Sequence, residues 1–292
     1  MSSKKSLPKF IIIGPDTTNT QDLLSEIRRR GYQGQLFKLH NISFAFVESV
    51  FIAKHVNIDL SSFDIFIFRG YNKNLLFAQI LAKNLLAQNK IILDDILSKN
   101  YLPGKIAEAA IFSQKHLPHP KTYQLLSHTN YKKLLPQIGF PIIVKPVDGQ
   151  KGQNIEKFNT PESALAFFQR NPRGFLIQEY LPIDGDIRVF IVNGKILGAI
   201  KRLVITGDYR SNASLGADAE KIIPTREMEV LALQAVAAMG YEIAGVDLIE
   251  YNNQLYILEV NITPQWQKFK EVTGVNPAEH IINYAIEKYE KN

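Results

Sequence analysis

Ala244-Gly-Val-Asp-Leu-Ile-Glu-Tyr-Asn-Asn-Gln-Leu-Tyr-Ile-Leu-Glu-Val-Asn-Ile-Thr-Pro264 reads as two apolar strands folded back on each other. Three isolated oxygen donors interrupt the apolar runs: Asp247 on the first arm, Glu259 and Asn261 on the second. Asn252-Asn253 marks the reversal, because asparagine tolerates the left-handed backbone of a tight turn. A two-residue loop at 252–253 would pair 247 with 258 and send Asp247 and Glu259 to opposite faces. A three-residue loop over 252–254 pairs 247 with 259 and 245 with 261. Side chains alternate along a strand, so all three donors then share one face, and an odd-length or bulged turn is expected. Gly245 leaves room beside Asn261. Hard oxygen ligands gathered in this way suit magnesium, which keeps water and substrate phosphates in its shell. The alternative is an edge hairpin carrying three solvated polar residues.

Around this hairpin, 292 residues allow two or three domains or one large α/β unit. A hydrophobic fraction of 46% with 21% charged residues fits a well-buried water-soluble chain, and no run is long enough to cross a bilayer. The apolar run Phe10–Ile13 ends at Gly14-Pro15, too short for a secretory core, so a cytoplasmic protein with no membrane partner is expected. The absence of cysteine excludes disulfides, thiolate nucleophiles and Cys-ligated zinc. The net charge of +6 comes from Lys and Arg scattered among acids. That pattern suits an anionic small molecule, a nucleotide above all, and disfavours nucleic acid.

Upstream, strand Phe10–Ile13, a helix capped by Thr20 and running to Arg30, strands Leu36–Leu39 and Asp64–Phe68, helix Leu75–Gln88 and strand Lys90–Leu93 alternate. Alternation of this kind argues a small parallel α/β domain over 1–100. Arg69-Gly70-Tyr71-Asn72 follows a strand's C-terminal end, where open α/β sheets place ligands; it reads equally as a plain strand–helix turn.

Past Asp94-Asp95 come a short helix over Leu102–Ala110 with Lys105, a proline-punctuated stretch at 116–120, and a helix near Tyr131–Pro136. Strand Pro141–Lys145 leads into a loop with Gly149, Gln150, Lys151 and Gly152, and Ile155–Phe158 returns. Such a loop suits covering phosphates through backbone N–H groups, though it is neither a Walker loop nor GxGxxG. Lys145 ends an apolar strand, and a buried lysine is costly unless it meets an anion. Helix Pro161–Gln169 and strand Phe175–Glu179 lead into Tyr180-Leu181-Pro182, which has the form of a connector between lobes. Asp186–Val192 and Lys195–Lys201 alternate around Asn193-Gly194, the strongest hairpin signal in the chain, with Arg188, Lys201 and Arg202 at one end. A polar loop over 206–216, helix Thr225–Met239 and helix Pro277–Tyr289 complete the reading.

Together Ile143-Val-Lys145 with its glycine loop, Gln178-Glu-Tyr180, Asp186-Ile-Arg188, Gly207-Asp-Tyr-Arg-Ser-Asn212, Ala244-Gly-Val-Asp247, Leu258-Glu-Val-Asn261 and Val272-Thr-Gly-Val275 resemble, in order, the RimK-type carboxylate–amine ligases of the ATP-grasp superfamily. The resemblance covers residues 101 to the end. It implies an α/β (α+β) ATP-grasp fold: a parallel pre-ATP-grasp domain (1–100), a lid subdomain (101–181) and a C-terminal antiparallel-sheet subdomain (182–292). It implies ATP and Mg2+, with Mn2+ able to substitute, and small-molecule or peptidyl carboxylate and amine substrates joined through an acyl phosphate. A homo-oligomer is left open. The implied roles place Lys105 and Lys145 on the nucleotide phosphates under the 149–152 loop, Glu179, Tyr180 and Leu181 at adenine, and Asp186 at the ribose. They place Arg210, Ser211 and Asn212 along the triphosphate, and Asp247, Glu259 and Asn261 on magnesium. Arg202 would steady the acyl phosphate, with Arg188 and Lys201 beside it. Lys201 stands where the family pattern has Glu, Asn154 where it has Gly, and Ile262-Thr-Pro-Gln-Trp-Gln267 replaces a Ser-Pro-Gly run, which puts glutamate addition in question. Trp266 then either lines the acceptor site or packs between lobes. A phosphotransferase and a non-catalytic nucleotide-binding regulator remain the alternatives.

Overall fold

A computed structural model of the chain describes residues 7–48, 50–99, 101–125, 131–147, 155–171, 174–203 and 218–292. β1 (Phe10–Ile13), apolar at every position, is buried on both faces, as a central parallel strand must be. α1 (Thr18–Arg29) is capped by Thr17, and Thr20, expected as the cap, is the return partner: its hydroxyl accepts from the Thr17 amide at 2.9 Å and donates to the Pro15 carbonyl at 2.8 Å. The alternation of two threonines in a capping box explains the three-residue offset. β2 (Gly34–Phe37) pairs with β1.

β3 (Ile42–Val47), β4 (Val50–His55) and β5 (Ile58–Asp59) form a three-stranded antiparallel sheet to which no sequence signal pointed. Exposed Phe46, Val47 and Val50 blur its alternation, and Ser43, Lys54 and His55 break any continuous apolar run. β6 (Ile65–Phe68), α2 (Leu75–Ala87) and β7 (Ile91–Leu93) complete a parallel sheet of order β2-β1-β6-β7. The order reverses between β1 and β6, so Gly14 and Arg69, at their C-terminal ends, flank the switch-point crevice.

α3 (Lys105–Gln114) begins three residues later than expected and buries Phe112 in a core shared by the N- and C-terminal parts. β8 (Thr122–Leu125), α4 (Tyr131–Ile138), β9 (Ile142–Pro146), β10 (Glu156–Phe158), α5 (Pro161–Arg170) and β11 (Phe175–Glu179) make a separate layer with sheet order β10-β9-β11-β8. This lid has its own core of Tyr131, Leu135, Val144, Phe168 and Ile177, with the Tyr131 and Phe168 rings stacked 3.9 Å apart.

β12 (Gly185–Val192), β13 (Lys195–Leu203), β14 (Ala219–Ile222), α6 (Arg226–Met239), β15 (Ile243–Tyr251) and β16 (Gln254–Asn261) build an antiparallel sheet of order β14-β13-β12-β15-β16. α7 (Gln267–Thr273), too short to show a period in sequence, and α8 (Pro277–Glu290) follow. One face of the sheet packs Ile187, Val189, Val246 and Leu248 against α6 and the N-terminal part; the other packs Phe190, Ile200 and Ile243 with Trp266 and Ile281. Among the described residues no helix is long and apolar enough to cross a membrane.

The β15–β16 register pairs Asp247 with Glu259 and Gly245 with Asn261, as expected, but by a different device. Asn252 and Asn253 form a two-residue turn, with φ of 50° and 59°, and Tyr251 faces Gln254. The odd residue is Leu258, bulged out of β16 between the Asp247–Glu259 and Leu248–Ile257 pairs. Two asparagines satisfy the positive φ of a primed turn, and the bulge then shifts every later side chain to the other face.

Candidate functional site

Four neighbouring strands present one row of polar side chains on one face. Asp186 and Arg188 are two residues apart on β12; Arg202 faces Asp186 across β13, Asp247 faces Arg188 across β15, and Glu259 faces Asp247 across β16. Arg202 donates to both oxygens of Asp186 at 2.5 Å, and its Nη2 also lies 2.9 Å from Asp247 Oδ2. Arg188 grips the two oxygens of Asp247 at 2.7 Å each. Burial alone would raise the Asp247 pKa, but Arg188 and Arg202 outweigh it and hold the carboxyl at about 2. Burial likewise works against the charge of Arg202, and Asp247 and Asp186 push its pKa up. Asp186 is 5% exposed and engaged by Arg202 through both oxygens, so it fixes that guanidinium rather than standing free at a ribose.

Lys105, at the start of α3, reaches over the β16 edge to Glu259 Oε2 at 3.0 Å. Burial opposes its charge, and Glu259 raises its pKa again. One turn along α3, Glu108 accepts from the Val260 amide at 3.4 Å; burial, then the Glu259 charge, pushes its pKa up to about 7. Sequence reasoning missed Glu108, although an acid inside Ile106-Ala-Glu-Ala-Ala110 was a visible signal. With the Asn261 carboxamide turned to satisfy both its ends, its nitrogen donates to Glu259 Oε1 at 2.8 Å and its oxygen accepts from Arg188 Nη2 at 3.2 Å. Asp247, Glu259 and Asn261 thus sit side by side; their carboxylate and carboxamide oxygens, engaged here by Arg188, Arg202 and Lys105, are the ligand type that a hard divalent cation takes. Among the described residues no larger cluster of His, Cys, Asp and Glu offers itself to a metal.

From the lid, Lys145 donates to Gln178 Oε1 at 2.5 Å, and Gln178 donates to Thr122. Among the described residues it has no carboxylate within ion-pair distance, and burial, with Lys105 adding repulsion, pushes its pKa down to about 8. Glu179 accepts from the Lys121 amide at 2.8 Å, and Lys157 Nζ lies 3.6 Å from the centroid of the Tyr180 ring. Leu181 follows, half-buried. Gly149, Gln150, Lys151, Gly152, Arg210, Ser211 and Asn212 lie outside the described residues.

One expectation is corrected and two open alternatives are decided. Lys201 pairs with Ile187 and Glu220, one step from Arg202, so alternation sends it to the opposite face of the sheet and away from the row. Of the two readings left open for Trp266, the structure takes packing: it is 0% exposed, with its indole N–H donated to Asp22 at 3.0 Å, between the N- and C-terminal parts. Arg69, offered by the sequence as a substrate contact, turns inward to the Pro264 carbonyl at 2.6 Å.

Residues 103–285 match the family model of the RimK-like ATP-grasp domain. The chain is 27% identical over 281 residues to a probable alpha-L-glutamate ligase 1 of Shewanella sp. (strain MR-4), covering 94% of this chain and 93% of that protein. It is 30% identical over 173 residues to a probable alpha-L-glutamate ligase of Haemophilus influenzae (strain PittEE), covering 58% of each. Its fold is similar to the ATP-grasp ligase PsnB complexed with a phosphomimetic variant of a minimal precursor, Mg and ADP, at a TM-score of 0.74 and 17% identity, covering 97% of this chain and 100% of that one. It is also similar to D-alanine–D-alanine ligase from Bacillus anthracis complexed with ATP, at a TM-score of 0.69 and 16% identity, covering 98% of both.

Proposed function

The chain belongs to the RimK-like ATP-grasp family, and from that premise we propose that the polar row and the two lysines facing it form the active site of an ATP-dependent carboxylate–amine ligase. A substrate carboxylate attacks the γ-phosphorus of ATP, giving an acyl phosphate and ADP; an amine then attacks the acyl carbon, releasing phosphate and leaving an amide. The observation that carries this reading is the meeting of Lys105, Glu259, Asp247 and Arg202, drawn from α3 and three strands, with Lys145 of the lid.

A carboxylate nucleophile is ionised at neutral pH and needs no base, so catalysis is positioning plus charge neutralisation. Lys145, with no carboxylate within ion-pair distance among the described residues, and Lys105 bind phosphate oxygens. Arg202, fixed by Asp186, and Arg188 stabilise charge on the transferring group. Glu179, Tyr180 and Leu181 are assigned to the adenine base; Gly149, Gln150, Lys151, Gly152, Arg210, Ser211 and Asn212, outside the described residues, are assigned to the phosphates from the family resemblance alone. Asp247, Glu259 and Asn261 would hold Mg2+, which neutralises phosphate charge when bound, and Mn2+ shares the same oxygen preference. ATP as a substrate agrees with a cytoplasmic protein. The alpha-L-glutamate ligases among its relatives support glutamate as an amine to test first, and the precursor bound by PsnB supports a peptidyl carboxylate.

ADP release measured across panels of carboxylates and amines tests this reading. Release that requires both partners supports ligation. Release without any amine identifies a phosphotransferase, and tight ATP binding with no release under any pair identifies a regulator.

A further inference from the structure

Arg69 is a cation 4% exposed at the end of β6, and among the described residues no carboxylate lies within ion-pair distance of it. Its Nη2 donates to the Pro264 carbonyl at 2.6 Å, and its guanidinium carbon stands 5.0 Å from the centroid of the Trp266 ring. Burial brings its pKa down to about 10, so it is charged at neutral pH. Holding a guanidinium dry for one carbonyl and one ring face is unfavourable for stability on its own, which asks for another role.

The contacts around it trace that role. Asp22 of α1 accepts from the Trp266 indole at 3.0 Å and from the Gln267 side chain at 2.9 Å, and pairs with Lys270 at 3.0 Å. α1 and the β6 end therefore hold the tail that leaves β16 at Asn261. Pro264 is pressed onto Gly245: a Cβ built there would stand 2.9 Å from Pro264 Cβ and 3.5 Å from Arg188 Nε. Gly245 is the register partner of Asn261, and Arg188 holds Asp247. The strap thus ends between two members of the oxygen donor set.

We propose that Arg69 is a positioning residue: by holding Pro264 against Gly245 it sets the placement of Asn261 and Arg188 around Asp247, and with it the affinity of the site for a divalent cation. The inference rests on the assignment of Asp247, Glu259 and Asn261 as metal ligands.

The test is Mn2+ binding in the presence of ADP, followed by the EPR signal of free Mn2+, for the wild type and for R69M, R69K and E259Q, with melting temperature recorded in parallel. R69M keeps a long stem without charge or donors, and Mn2+ affinity should fall by about 10-fold or more, the range seen when groups orienting metal ligands are removed. R69K retains a donor for the Pro264 carbonyl but not the flat face over Trp266, and should recover part of the loss. A lower melting temperature with unchanged Mn2+ affinity in R69M, while E259Q is impaired, overturns the positioning role and leaves the ligand assignment standing. Wild-type Mn2+ affinity in E259Q overturns the ligand assignment and the proposal with it. Should R69M fail to fold, D22N loosens the same strap at Trp266 and decides by the same two readouts.

Discussion

Nucleotide binding by the wild-type enzyme should weaken as pH rises above 8, and Lys145→Arg should abolish that dependence. Burial, with repulsion from Lys105, brings the Lys145 pKa down to about 8, whereas a bound phosphate oxygen favours the charged form. Binding then requires the protonated lysine, and above pH 8 the free enzyme must take up a proton to bind. With a pKa near 8, about three-quarters of the free protein carries the charge at pH 7.5 and about 3% at pH 9.5, a loss of about 25-fold, or about 2 kcal/mol. Starting at pH 7.5 keeps Glu108, whose pKa is about 7, mostly out of the window. The sign for stability is opposite: a folded-state pKa below the ordinary lysine value penalises the folded protein at neutral pH, and the penalty fades as pH rises from about 8 toward 10.5. Calorimetric titration with ADP in the absence of divalent metal, repeated in two buffers of different ionisation enthalpy, measures both the affinity and the proton taken up. Arginine stays charged throughout, so Lys145→Arg should bind with little slope and no uptake. A flat wild-type affinity from pH 7.5 to 9.5, or an equal slope in the arginine variant, would refute the reasoning.

Glu259→Gln should lower magnesium-dependent ADP release by about 100-fold or more, since metal stabilisation of phosphate charge is worth several kcal/mol. Its melting temperature should stay close to wild type, because the Lys105–Glu259 pair is partly exposed and exposed pairs contribute little; steady-state kinetics and thermal melts check both. Lys201→Glu places like charges opposite Glu220 and should cost about 0.2–1 kcal/mol without changing amine preference, read from a melt and from kcat/KM over the amine panel. Gly245→Ala forces a Cβ against Pro264 and should cost about 1–3 kcal/mol in denaturant unfolding while loosening the Arg188–Asp247 pair.

The legible part of the fold was the part in which one physical signal dominates. Phe10–Ile13 and Ile65–Phe68 are apolar throughout because both their faces are covered, and Asn193-Gly194 announces a hairpin through its backbone preferences alone. The pairing of Asp247 with Glu259 could be inferred from the demand that the donors share a face, but not where the odd residue goes: a turn and a bulge produce the same register, and Leu258 carries no local mark. β3 to β5 stayed hidden because the exposed Phe46, Val47 and Val50 blur their alternation, while Ser43, Lys54 and His55 break the continuous apolar run that marks β1 and β6. Lys201 was drawn into the site by adjacency to Arg202, and a plain two-residue turn at Asn193-Gly194 would pair it with Asp186; the bulge between Phe190 and Ile191 shifts the register by one, so Lys201 faces Ile187 instead. Arg69 and Trp266 meet through contacts between residues nearly two hundred positions apart, which no local pattern encodes.

The charges of the site explain why its metal and its nucleotide belong together. Arg188, Arg202, Lys105 and Lys145 set four cations against the three carboxylates of Asp186, Asp247 and Glu259, with Glu108 near half-protonation at neutral pH. Buried carboxylates this close would repel or take up protons if left alone. The arginines prevent that: Asp247, held at a pKa of about 2, stays ionised and correctly aimed without any cation from solution. A free divalent ion therefore approaches donors that are already compensated, against a small positive surplus, and gains little. A nucleotide polyphosphate meets the same surplus as attraction, above all at Lys145, and carries enough negative charge to hold a divalent ion beside Asp247, Glu259 and Asn261. On the proposed assignment, the basic residues would keep the oxygen donors ready while the nucleotide supplied the charge that makes metal binding favourable, so selectivity for the metal–nucleotide pair would follow from the balance of seven side chains rather than from any one of them.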